Sequence, residues 1–147
     1  MDIYSENVLD HYRHPRGKRT LPSPSVEHQE INLSCGDELT LQLQLKDGTI
    51  ADLAWTGVGC AISQAGMSIL SEELEGKTAA EALALTQQDV RDLLGVPVGP
   101  RRFKCALLCL HTLKNALRKA EGLPPQNWLD AVGLEEEDEQ EAKSPFA

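Results

Sequence analysis

Leucines alternate with polar residues along "ELTLQLQLK", so that Leu39, Leu41, Leu43 and Leu45 share one side of an extended chain. "DG" at 47 and 48 supplies hairpin-turn chemistry, and "TIADLAW" resumes the alternation, placing Trp55 on the same apolar face. The pattern predicts an antiparallel hairpin that needs cover on one side. Helical spacing supplies it elsewhere. Ile3, Tyr4, Val8, Leu9 and Tyr12 form a stripe over residues 2–13, stopped at "HPRG" because Pro15 disfavours helix in the residue before it. Ile62, Met67, Ile69, Leu70 and Leu74 repeat at helical spacing in "AISQAGMSILSEELEG", which Gly76 closes. "TAAEALALT" opens with a threonine cap and a glutamate three residues on, and "QQDVRDLLG" reads as another short helix. After the "VPVGP" breaker, "RRFKCALLCLHTLKNALRKAEG" is the longest helix, with Phe103, Leu107, Leu110, Leu113 and Leu117 toward the core. "KRTLPSPS" is a connection, "SVEHQEINLS" reads as an edge strand leading to Cys35, and "LPPQNW" as a surface segment. The expected fold class is α+β, a small antiparallel sheet with helices packed on one face.

Length and composition change this picture little. The 147 residues fit one core-forming domain over 1–122, followed by an extension over 123–147. Much of the net charge of -9 falls in "LEEEDEQEAK", which reads as a solvated, disordered tail. Basic residues gather only in short clusters such as "RRFK", too small for a phosphate-tracking surface, so nucleic acid is not an expected partner. No apolar run is long enough to span a bilayer, and the N-terminus lacks the apolar stretch of a secretory signal. Four cysteines are too sparse for a disulfide scaffold. The expected setting is a reducing cytoplasm with free thiols.

Three of those cysteines lie at element ends, where distant segments converge. Cys35 sits in the turn "SCGDE", Cys60 at the glycine-rich entrance to a helix, and Cys105 at the head of the last helix beside Arg101, Arg102 and Lys104. Helix N-termini and nearby cations favour thiolates. Three thiolates and the Asp37 carboxylate make a donor set that zinc accepts. The spacing C-x24-C-x44-C is not that of a zinc finger or ribbon, and buried cysteine also packs as a small hydrophobe, so spacing alone leaves both readings open. Cys109, one turn after Cys105 amid apolar residues, reads as packing. His28 and His111 read as partly exposed strand and helix residues rather than ligands, and His11 and His14 as part of a terminating helix motif.

"VLDHYRHPRG", "SCGDELTLQLQLKDG", "GVGCAISQAGMSIL" with "EGKTAAEAL", and "RRFKCALLCLHTLKNAL" occur in the order of the U-type iron-sulfur assembly family, comprising IscU, SufU and the N-terminal domain of NifU. The resemblance runs from about Ile3 to Arg118. It implies a SufE/NifU-like fold with a solvent-facing metal or cluster site formed by Cys35, Asp37, Cys60 and Cys105. Lys104 stands where IscU carries a histidine, and "GVPVGPRRFK" lacks the Leu-Pro-Pro-Val-Lys segment of IscU. Lys104 and Arg102 instead resemble SufU, although the usual SufU insertion between its second and third cysteines is missing. The SufU resemblance implies bound zinc, a SufS-like cysteine desulfurase as sulfur donor, and downstream iron-sulfur assembly proteins as recipients. Cys35 is then the candidate persulfide acceptor and Arg102 a contact for the persulfide or a partner. The alternative is a scaffold on which a [2Fe-2S] cluster is built on Cys35, Asp37, Cys60 and Cys105 and then transferred.

Overall fold

The computed structural model describes residues 6–134. The predicted stripe positions Ile3 and Tyr4, and all of the acidic run beyond Leu134, lie outside them. Helix α1 (Glu6–Arg13) leads to three strands, β1 (Val26–Asn32), β2 (Asp37–Lys46) and β3 (Thr49–Val58). Helices α2 (Ala61–Leu74), α3 (Ala79–Leu83), α4 (Gln87–Leu94), α5 (Phe103–Ala120) and α6 (Trp128–Val132) follow. The sheet is antiparallel in the order β1-β2-β3. This is the expected α+β architecture, with helices on the apolar face.

Period-two patterning explains the sheet. Leu39, Leu41 and Leu43 are fully buried beneath the helices, while Thr40, Gln42 and Gln44 between them are half-buried. Trp55 pairs with Leu41 across the hairpin and is also fully buried. Asp47 and Gly48 both have positive φ, at 52° and 75°, which suits a two-residue turn to the twist of the strands. A register shift at Gln44/Leu45 interrupts the alternation, and Leu45 is only partly covered.

β1 is an ordinary edge strand with a polar inner face. Its covered positions include His28, Glu30 and Asn32, which hides the usual apolar alternation. Glu30 accepts a hydrogen bond from Asn115 Nδ2 of α5 at 2.8 Å and lies 2.5 Å from His28 Nε2. His111 Nε2 is 3.7 Å from Glu30 and 3.2 Å from the Gln126 carbonyl. His111 thus joins α5 to β1, while His28 contacts Glu30 within its own strand.

α2 is the central helix: every residue from Ile62 to Ser71 is buried, against α1, α4, α5 and β3. α1 reaches it through a polar contact. Tyr12, expected on the apolar stripe, is exposed, and His11 is buried in its place. The Ser68 hydroxyl lies 2.7 Å from His11 Nδ1, and His11 Nε2 is 3.2 Å from Glu72. A neutral imidazole fits if Ser68 donates to Nδ1 and Nε2-H donates to Glu72. Burial, reinforced by Arg16, lowers the His11 pKa by more than Glu72 restores. Below the unfolded value near 6.5 the unfolded chain binds the proton first, so stability falls as pH drops through that value toward the lower folded one. Urea midpoints between pH 7.5 and 5 are therefore expected to fall further in the wild type than in His11→Gln.

Both short helices carry capping boxes, Thr78 with Glu81 and Thr86 with Asp89. Beyond Gly122 the chain does more than lie on the surface. Asn127 accepts from Asp130 N at 2.9 Å to start α6, and Gly133 ends it in the left-handed region. Asn115 and Gln126 exchange two hydrogen bonds, and Ala131 and Val132 are buried. Residues 123–134 therefore pack on α5.

Candidate metal centre

The strand and helix ends predicted to converge do so at one end of the sheet. Cys35 lies in the turn between β1 and β2, exposed to solvent. Asn32 shapes that turn, its carbonyl accepting from Cys35 N at 3.3 Å and its Oδ1 from Ser34 N at 3.2 Å. Gly36, at φ +69°, reverses the chain into β2. Asp37 opens β2 and is completely buried. Cys105, the third residue of α5, is buried with its Sγ 3.2 Å from Cys35 Sγ. One donor atom from each of Cys35, Asp37 and Cys105 lies within 4.8 Å of the other two, a group able to hold a metal ion.

Cys60 borders this group without its sulfur joining the mutually close set. It caps α2, its Sγ accepting from Ser63 N at 3.5 Å. Its own N-H donates to Asp37 Oδ1 at 2.8 Å. A hydrogen bond from Cys105, with help from Ser63 N-H, brings the Cys60 thiol down to about 6 against burial and the Asp37 charge. Cys105 moves the other way, raised because it donates to Cys60 and is buried.

Asp37 shows most directly what this centre suits. Oδ1 accepts from Cys60 N and, at 3.3 Å, from the Ser63 hydroxyl. Oδ2 is equally buried and has no hydrogen-bond partner. A buried carboxylate oxygen left bare is costly unless a cation meets it. One oxygen and neighbouring thiols match the donor preference of zinc. The chain also makes room for the carboxylate: a Cβ on Gly59 would lie 2.1 Å from Asp37 Oδ1.

Cys109 is separate. Fully buried, it donates to Ala106 O at 3.5 Å, and burial pushes its thiol up to about 12. This matches packing. Arg102 ends a 3-10 turn (Pro100–Arg102) three residues ahead of Cys105 and is half-buried. Lys104 Nζ lies 5.8 Å from the centre of the Trp128 ring. Sequence reasoning did not single out Asn32, Gly59 or Ser63 as site residues. Gly59 and Ser63 left a trace only as members of the stretch "GVGCAISQAGMSIL" at the strand-to-helix connection.

A three-stranded antiparallel sheet thus holds a Cys-Asp-Cys group at its end, beside the starts of two helices. The chain belongs to the NifU-like N-terminal domain family, whose model matches residues 3–124. It is 32% identical over 133 residues to the iron-sulfur cluster assembly scaffold protein IscU of Thermotoga maritima, covering 80% of this chain and 94% of the relative. It is 30% identical over 137 residues to the zinc-dependent sulfurtransferase SufU of Bacillus subtilis, covering 82% and 92%. Among solved structures, a SUF-system assembly scaffold protein from Fervidobacterium islandicum matches with a TM-score of 0.70 at 30% identity, over 78% of this chain and 96% of that one. A NifU-like N-terminal domain from Brucella abortus matches in fold, with a TM-score of 0.68 at 22% identity over 82% and 95%. No described helix is long and apolar enough to cross a membrane.

Proposed function

We propose that this chain acts in iron-sulfur cluster assembly as a zinc-dependent sulfurtransferase. It takes persulfide sulfur from a SufS-like cysteine desulfurase and relays it to downstream assembly proteins in the cytoplasm. The observation that carries the reading is the exposed Cys35 sulfur, 3.2 Å from the buried Cys105 sulfur and grouped with an Asp37 carboxylate whose second oxygen is bare. Cys35, Asp37, Cys60 and Cys105 would hold the metal, with Cys60 Sγ leaving Ser63 N-H to complete the set. Zinc would keep its sulfur ligands deprotonated at neutral pH.

Cys35 is the acceptor in this reading because it is the one cysteine of the four that is exposed. Its thiolate attacks the outer sulfur of the desulfurase persulfide. The persulfide S-S bond breaks, the desulfurase cysteine leaves as a thiolate, and Cys35 carries the new S-S bond. Arg102, on the turn ahead of Cys105, is assigned to the anionic persulfide or the partner segment that delivers it. The likeness to the Bacillus protein supports zinc and sulfur transfer.

A scaffold that builds and releases a [2Fe-2S] cluster is the second reading, favoured by the short segment of α3 and α4 between Cys60 and Cys105 and by the name of the Thermotoga relative. The two readings differ in what Cys35 does. With desulfurase and sulfur-labelled cysteine, the wild type is expected to become labelled and to accelerate the desulfurase. Cys35→Ala is expected to take no label and leave the desulfurase at its unstimulated rate. Undiminished stimulation by Cys35→Ala would remove Cys35 from the acceptor role.

A further inference from the structure

Ser63 touches both Cys60 and Asp37. It is the third residue of α2 and is completely buried. Its N-H is given to Cys60 Sγ at 3.5 Å. Its hydroxyl has two acceptors within reach, the Cys60 carbonyl at 3.0 Å and Asp37 Oδ1 at 3.3 Å, and receives Gln64 Nε2 at 3.2 Å. A hydroxyl has one proton, so the two acceptors share or exchange it. Helix capping explains the N-H contact but not why a buried hydroxyl reaches the carboxylate of another element.

From this geometry we infer that Ser63 is a positioning residue for Asp37: its hydroxyl, oriented by Gln64, reserves Oδ1 for the protein so that Oδ2 alone is offered to the metal. This rests on the metal-site reading above and extends it to how firmly the ion is held. A carboxylate fixed through one oxygen keeps its direction, and its binding to the metal no longer has to order a free side chain. With no cation at Oδ2, the Ser63 proton can turn from the Cys60 carbonyl to Oδ1. Ser63 thereby couples the grip of Asp37 to the start of α2.

Ser63→Ala removes the hydroxyl and keeps the N-H that meets Cys60. Zinc affinity, read by competition with a chromophoric chelator, is expected to weaken about tenfold or more, the usual size for loss of a group orienting a ligand. In an Asp37→Ala background, where three thiols remain, the same change is expected to have almost no effect on affinity. Alkylation of Cys60 in the metal-free protein, located by mass spectrometry, should stay at the wild-type rate, whereas simple fraying of α2 would raise it. Gln64→Met, which removes the donor behind Ser63, should weaken zinc binding in the same direction by less and carries the test if Ser63→Ala does not fold. Unchanged affinity in the folded variants, or an equal loss in the Asp37→Ala background, would overturn the inference while leaving the metal site intact. A wild-type protein that takes up no zinc would overturn the site reading, and this inference with it.

Discussion

Gly59→Ala is expected to cost the protein most of its metal affinity together with part of its stability. Gly59 has φ +144°, a backbone region essentially restricted to glycine, where another residue costs on the order of 1–3 kcal/mol. The added Cβ would also fall 2.1 Å from Asp37 Oδ1 and 2.9 Å from Asp37 Cα. The second of these is backbone at the start of β2, so the clash cannot be relieved by turning a flexible side chain. Asp37 must shift, and with it the hydrogen bond from Cys60 N that ties the start of α2 to β2. Zinc retention by competition titration is expected to fall roughly a hundredfold, the upper range for disturbed ligand support. Gly36→Ala is the matched control. Its φ of +69° also strains alanine, but nothing lies within 4 Å of the new Cβ, so stability should drop while affinity changes far less.

Trp55→Ala is expected to lose about 3–5 kcal/mol, a large part of the stability of an ordinary domain. Trp55 is fully buried opposite Leu41, and its Nε1 donates to the Arg16 carbonyl at 2.7 Å. Its backbone N-H donates to the Gly17 carbonyl at 2.9 Å, so this residue fastens the segment after α1 to β3 as well as filling the core. Truncation leaves a cavity and takes one of two donors from the Arg16 carbonyl, which the Ser71 hydroxyl also reaches at 2.9 Å. Trp55→Phe should lose less, since most of the ring volume stays. Urea unfolding followed by far-UV circular dichroism measures both variants, and an Ala variant within about 1 kcal/mol of the wild type would show that the core closes over the gap.

How far the sequence disclosed this molecule depended on whether a contact is apolar and periodic or polar and long-range. The leucines of β2, the Asp47-Gly48 turn and the stripe of α5 are periodic signals, and each corresponds to an element in the structure. β1 read less clearly because its inward residues are polar: Glu30 and Asn32 meet Asn115 and Cys105 of α5, and His28 meets Glu30, in place of hydrocarbon contacts. Tyr12 and His11 exchange their expected exposures for the same reason: the face of α1 that meets α2 holds a hydrogen-bonded imidazole. α6 was hidden by its five-residue length and by Pro124 and Pro125 just before it. At the centre, element-end positions marked Cys35, Asp37, Cys60 and Cys105 as residues to watch. Neither the bare Oδ2 of Asp37 nor the Ser63 contacts could be read along the chain, because both depend on β2 meeting the start of α2.

The central claim is that this donor set holds zinc for sulfur transfer, and the most direct measurement is metal analysis with visible absorption on protein purified without oxygen. A colourless protein with about one zinc per chain, bound by three thiolates and one carboxylate, is expected. A brown protein containing iron and acid-labile sulfide in place of zinc would contradict it.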